Sequence, residues 1–286
     1  MNQHNHRFIS SNRRVREDRR FVAGKGKFVA DIEMSDMAHV ALVAAQHPAA
    51  KSRRIDGSAA LAMDGVIAVL TGEELAAAVN PLMNGLDTPN VRRFPLAVGQ
   101  NRYAGEWIAA VVAESRALAE DAAEKVVVET ETLPFVIDPE AALESGAPAV
   151  HPEHGSNLLL DRTFDWGPVE EDFARSEEKL SLRVTWGRNS TVPIETFGVI
   201  CKWDPWSEML DVWASIQMPK YADQIARSLK IPGNAVRVHY DVDVGGSYGV
   251  KRGIKHTVLC AYLARKLGRP IRLIEDRLED EGCYTV

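Results

Sequence analysis

The chain has 286 residues, with 34 lysines and arginines against 40 aspartates and glutamates; its formal net charge is −6, 45% of it is hydrophobic and 26% charged. This is globular composition for about two domains, and it excludes wholesale disorder and non-specific nucleic-acid binding, which needs clustered positive charge. No apolar run approaches the roughly 20 residues that span a bilayer, so neither a nucleic acid nor a membrane is an expected partner.

Arg13 and Arg14 imitate an export signal, but residues 15–20 are charged and no apolar stretch follows, so residues 1–20 read as a basic arm. Such an arm is either a solvated tail or a strap across a neighbouring subunit. Residues 39–44 (HVALVA) read as a buried strand, residues 58–63 as one or two helical turns, and residues 66–71 (VIAVLT) as a strand of high β-branched content. Residues 77–100, with Pro81, Gly85, Pro89 and Pro95, read as irregular.

Residues 107–113 (WIAAVVA) are a fully apolar strand. Ser115 is a candidate N-cap, and Leu118, Ala122 and Val126 lie on one helical face. Residues 126–131 return as a strand, so the block reads as a compact strand–helix–strand unit. Pro139, Gly146, Pro148, Pro152 and Gly155 mark a linker over 141–165. A second domain is expected over 166–286.

That second half opens with a hairpin, residues 197–203 and 209–215, turning at Asp204 and Pro205, with Trp203, Trp206 and Trp213 as hairpin packing. Tyr221, Ile225 and Leu229 share a helix face that closes at Pro232 and Gly233. Residues 235–240 alternate like a strand, a helix carries Ile254, Val258, Leu259, Tyr262 and Leu263 up to Gly268, and residues 271–274 form a last strand.

Between that strand and helix stand Gly245, Gly246, Ser247, Tyr248 and Gly249. Glycines admit positive φ and close approach of main-chain N–H groups to a ligand, and a helix start favours an anion. The pattern matches neither G-x-G-x-x-G nor a P-loop, so locally it is either an anion-binding loop or a tight turn. Gln217, at the end of a strand before Pro219, offers two N–H donors that could orient an oxo group, or it is a surface glutamine. The histidines have no metal-site spacing outside His4 and His6, so no protein metal ligands are assigned. Cys201, Cys260 and Cys283 are too few for a disulfide framework and cannot hold a four-cysteine iron–sulfur cluster. Cys201 and Cys260 read as buried small hydrophobes, and a reducing, cytoplasmic compartment is expected.

Taken in order, the motifs resemble the molybdopterin-binding (large) subunit of the xanthine dehydrogenase/aldehyde oxidase family, which includes aerobic carbon monoxide dehydrogenases. Arg16, Asp18, Arg19, Gly24, Gly26, Phe28 and Asp31 match its opening. Residues 65–71 are similar to its "GV-x-AV-x-T" strand and residues 103–114 to "Y-x-G-E-x-V-A-x-V-x-A". Pro193, Ile194 and Glu195 resemble "PME", residues 215–219 "STQ-x-P", residues 245–251 "GGGFGGK", and residues 268–271 "GRPV".

The resemblance implies an α/β (α+β) fold: an a/b hammerhead domain over 21–140, then over 166–286 the first part of a molybdopterin-binding domain with a mixed sheet. It implies molybdopterin, in dinucleotide form, with molybdenum. Gln217 takes the position that bonds an oxo ligand and is the candidate catalytic residue. Gln217, Gly245, Gly246, Ser247, Tyr248 and Gly249 are the candidate cofactor-binding residues, and Glu195 and Arg252 the candidate substrate pocket. The implied activity is hydroxylation of a small organic substrate with water as oxygen source, electrons leaving to FAD and [2Fe-2S] centres on partner chains. Ser247 replaces a glycine of the motif and Tyr248 its phenylalanine. Arg252 stands where purine-oxidising members carry glutamate, which suits an anionic or carbonyl substrate if the side chain faces the pocket; otherwise it is a solvated arginine of a first helical turn. Family chains are more than twice this length, and the base glutamate comes from the remainder. The expected partners are therefore a chain carrying the rest of the molybdopterin domain, an FAD subunit and an iron–sulfur subunit; the alternative is a non-catalytic scaffold.

Overall fold

A computed structural model describes residues 15–83, 91–187 and 191–282. Arg13, Arg14, Gly85, Pro89 and Cys283, singled out above, lie outside the described residues. In chain order the elements are α1 (Asp18–Val22), β1 (Ala38–Ala44), β2 (Ala50–Asp56), α2 (Ser58–Leu61), β3 (Val66–Thr71), α3 (Gly72–Ala78), β4 (Gln100–Asn101), β5 (Trp107–Ala113), α4 (Arg116–Ala123) and β6 (Val127–Thr132). They continue with α5 (Val169–Arg175), β7 (Gly198–Asp204), β8 (Met209–Ala214), α6 (Tyr221–Leu229), β9 (Val236–His239), α7 (Ile254–Leu267), β10 (Ile271–Ile274) and α8 (Arg277–Gly282). No described helix is long and apolar enough to cross a membrane.

Seven strands form one mixed sheet, ordered β3-β5-β1-β10-β7-β8-β9. Its middle is a join across the chain: β10 pairs parallel with β1, Ala38 opposite Ile271, and antiparallel with β7, Ile271 opposite Cys201. All seven residues of β5 are buried, as its unbroken apolar run requires. Helix α7 covers β7 and β10 with Val258, Leu259, Cys260, Leu263 and Ala264, and α6 packs beside it through Tyr221, Ile225 and Leu229. Cys201 and Cys260 are fully buried, and burial pushes both thiols up, which leaves them unreactive.

The strand–helix–strand block departs from the expected unit. Ser115 does cap α4, accepting the Leu118 N–H. Strand β6, however, leaves the large sheet and pairs with β2 in a second, three-stranded sheet, β4-β2-β6. Glu129 and Glu131 of β6 meet Arg54 and Arg53 of β2, a pairing of charges that fits an exposed sheet better than the core. Trp206 is a second departure: at 95% exposed it packs against nothing, whereas Trp213 stacks on His239 with ring centroids 4.2 Å apart.

Beneath α7 lies a polar group in an apolar setting. His256 Nε2 is 2.5 Å from Glu275 Oε1, both side chains are buried, and the imidazole sits 4.3 Å from the Phe197 ring and 4.6 Å from Trp107. The short contact assigns an Nε2–H donating to the carboxylate. Burial lowers the His256 pKa from 6.5 and outweighs the opposing pull of Glu275. The unfolded chain therefore takes up a proton near pH 6.5 that the native imidazole refuses, so this contribution to stability is present above that pH and is lost as pH falls. Between pH 8 and pH 5, wild type should lose more unfolding free energy than His256→Gln; parallel curves would refute the assignment.

Candidate active site

The segment between β9 and α7 is held at its start by the N-terminal part of the chain. Arg20 Nη1 and Nη2 each donate to Asp243 at 2.5 Å, and the Lys27 N–H donates to the same carboxylate at 2.8 Å. The Asp243 N–H returns a bond to the Lys27 carbonyl at 2.7 Å, and Lys27 Nζ reaches Asp241 at 2.6 Å. The bidentate guanidinium, joined by the Lys27 amide, holds the Asp243 carboxyl at a pKa of about 2. Arg20, the last residue of the expected arm, thus pins a segment of its own chain.

Two residues on, the glycine loop meets a buried ion pair. The Gly245 N–H donates to Glu195 Oε2 at 2.7 Å, and Lys251 Nζ donates to the same oxygen at 2.5 Å. The Lys251 side chain is wholly buried. Its main chain is equally engaged: the N–H donates to Ser247 Oγ at 3.2 Å, and the carbonyl accepts the Gln217 N–H at 3.1 Å. Lys251 is therefore the hub that draws Glu195, Gly245, Ser247 and Gln217 together. Gly245 is required by space, since a Cβ there would lie 2.6 Å from Glu195 Cβ.

The next residues face outward. Tyr248 sits at φ +54° and is 74% exposed, and Gly249 sits at φ +103° with open space where a Cβ would be. The main-chain N–H groups of Gly246, Ser247, Tyr248 and Gly249 donate to no other group among the described residues. Successive undonated amides in a turn form a concavity suited to an anion or an oxygen-rich ligand. These amides do not belong to a helix start, contrary to the sequence expectation: α7 begins only at Ile254, after Gly253 at φ +57°. Arg252 likewise precedes the helix; it is exposed, and its N–H donates to the Val250 carbonyl at 2.7 Å. Gln217 is exposed just past β8, its main chain fixed by Lys251.

The structure thus gathers Glu195, Gln217 and residues 245–249 around one lysine, with Arg252 on the same loop. Sequence reasoning assigned no role to Lys251, Asp243 or the His256–Glu275 pair. Lys251 closes the glycine motif, but nothing local reveals that it is buried against a carboxylate 56 positions away.

The chain is similar over most of its length to known proteins. Residues 23–134 match the family model "aldehyde oxidase and xanthine dehydrogenase, a/b hammerhead domain", and residues 150–282 match "molybdopterin cofactor-binding domain". The chain is 34% identical over 283 residues to the carbon monoxide dehydrogenase large chain of Hydrogenophaga pseudoflava, an alignment covering 93% of this chain and 35% of that one. It is 32% identical to the nicotine 6-hydroxylase large subunit of Paenarthrobacter nicotinovorans, covering 92% and 33%. The solved structure of quinoline 2-oxidoreductase from Pseudomonas putida 86 superposes with a TM-score of 0.81 at 34% identity, covering 93% of this chain and 34% of that one. The chain spans about a third of the length of the curated relatives it matches. It belongs to the xanthine dehydrogenase/aldehyde oxidase family of molybdopterin-binding subunits, as a hammerhead domain followed by a cofactor-binding domain built on a mixed sheet.

Proposed function

We propose that this chain supplies part of the molybdenum-cofactor site of a hydroxylase complex. The observation that carries the reading is the run of four undonated amides, Gly246 to Gly249, beside Gln217 and the Glu195–Lys251 pair. This donor set fits an acceptor-rich ligand such as a pterin dinucleotide. When bound, molybdopterin supplies the redox chemistry that inserts an oxygen from water into a small organic substrate. Residues 246–249 hold it through main-chain N–H groups, with Gly249 leaving room for close approach. The Gln217 carboxamide donates toward an oxygen acceptor, and its backbone cannot drift because Lys251 holds it. Lys251 also keeps Glu195 turned to the loop, so Glu195 supports the loop as well as bordering the substrate pocket. Arg252 favours an anionic or carbonyl substrate. Electrons leave to [2Fe-2S] and FAD groups on partner chains, and the rest of the molybdopterin domain completes the site, in the cytoplasm.

Purification of the assembled complex through a tag on this chain tests the reading. About one molybdenum and one pterin per chain are expected. Gly245→Ala, which drives a methyl group into Glu195, should lower that content by about tenfold or more. A complex that holds its partners but no molybdenum makes the chain a scaffold and overturns the reading.

A further inference from the structure

One row across the large sheet carries positive charge between apolar neighbours. Arg272 of β10 is paired with His39 of β1 on one side and with Ile200 of β7 on the other. His39 is paired in turn with Ala113 of β5, and Arg116 opens α4 just after that strand. Residues paired across strands project to the same face. Arg272, His39 and Arg116 accordingly line one cavity of about 230 Å³, with Ala30 and Ile274 as its apolar wall. The cavity sits at the join of the two matched domains, since β1, β5 and α4 belong to the first and β10 to the second.

The structural work of Arg272 falls on one nitrogen. Its Nη1 donates to the Ile32 carbonyl at 3.0 Å, the Ala30 carbonyl at 3.4 Å and Glu33 Oε1 at 2.9 Å. The side chain is only 15% exposed, yet its buried Nε has no partner, and Nη2 donates to nothing among the described residues. Nε–H and Nη2–H form the side-on edge of a guanidinium, which grips two oxygens of one anion, and a buried N–H is costly to leave unpaired. Arg116 gives its Nε–H to Glu120 at 2.6 Å, while its Nη groups donate to nothing among the described residues. Glu33 and Glu120 are both exposed to water. Glu279 of α8 faces Arg116, but burial pushes its carboxyl up to about 7, which makes it a weak counter-ion at neutral pH.

We propose that this cavity is an oxyanion site that takes a tetrahedral dianion, either free sulfate or phosphate or the phosphate group of a small ester. The side-on edge of Arg272 holds two of its oxygens, and Arg116 and His39 close on the others. Arginines only donate, so the ligand must be an acceptor on every side. Once bound, it ties β10 to β1 and α4 across the domain join. The site shares no residue with the 245–251 loop and does not depend on the proposed function. Burial and the two arginines lower the His39 pKa from 6.5 against the pull of Glu33, so the imidazole of the empty cavity is neutral at pH 7. A dianion favours the imidazolium and the protonated Glu279 carboxyl, so binding takes up protons and tightens as pH falls.

Calorimetric titration of the full chain with sulfate, at an ionic strength held constant with sodium chloride, tests the site. One sulfate per chain is expected, bound about tenfold more tightly at pH 6 than at pH 8. Glycerol phosphate added at pH 8 separates the sources: competition with sulfate assigns the site to a phosphate ester, and its failure assigns it to the free ion. Arg116→Gln should weaken sulfate by about tenfold or more while the unliganded chain melts with wild type, because that side chain is exposed. Arg272→Lys keeps the charge, loses the two-pronged edge and should weaken sulfate at least as much. The double variant His39→Gln with Glu279→Gln should still bind at pH 8 but lose the pH dependence. Three outcomes overturn the proposal: no saturable binding above the chloride background, wild-type affinity in both arginine variants, and a pH dependence that survives the double variant.

Discussion

Replacing Lys251 by methionine should lower the unfolding free energy by about 3–5 kcal/mol, the range for breaking one half of a buried ion pair. Methionine keeps much of the aliphatic stem and deletes the ammonium. Glu195 then retains the Gly245 N–H but loses the charge 2.5 Å away. Glu195 is 16% exposed while the lysine is wholly buried, so water offsets part of the loss and the lower half of the range is expected. The double variant Glu195→Gln with Lys251→Met decides the cause. Removing both charges leaves nothing unpaired and should recover most of the loss. Denaturant titration of the three variants checks this; if the two single losses simply add, the ion pair is not what stabilises the loop.

Gly253→Ala should cost about 2–5 kcal/mol, of which about 1–2 kcal/mol is the left-handed backbone imposed on a residue with a Cβ, and the rest is overpacking. Gly253 sits at φ +57°, and a Cβ there falls 2.1 Å from Phe197 Cζ. The ring cannot swing freely, because it is held against His256. Shortening it by Phe197→Leu should return the overpacking part and leave the backbone part. Equal stability of the single and double variants would show that the clash is relieved some other way. Since Gly253 is two residues from Lys251, the complex carrying the single variant should also lose molybdenum.

Much of this architecture is legible in local patterns. The β7–β8 hairpin, the face Tyr221, Ile225 and Leu229 of α6, α7 with its stop at Gly268, and the buried run of β5 all follow from periodicity and turn chemistry. Strand β2 escapes because Lys51, Ser52, Arg53 and Arg54 hide its alternation; its stability comes from β6 opposite, which no window reveals. The site divides the same way. Glycines announce a turn and an approach to a ligand, so residues 245–249 stand out. Lys251, Asp243 and His256 matter through partners 56, 223 and 19 positions distant, and a lone charged residue in sequence looks like any other surface charge.

The place of β10 between β1 and β7 has a kinetic consequence. Ala38 finds Ile271 only after 271 − 38 = 233 further residues have been made, which at roughly 5–20 residues per second takes roughly 12–47 s on the ribosome. During that wait β1 has β5 on one side and an open edge on the other, an invitation to mispairing that a chaperone would have to guard. Refolding of the finished chain should be slow for the same reason, since its central pairing closes one of the longest loops available to it.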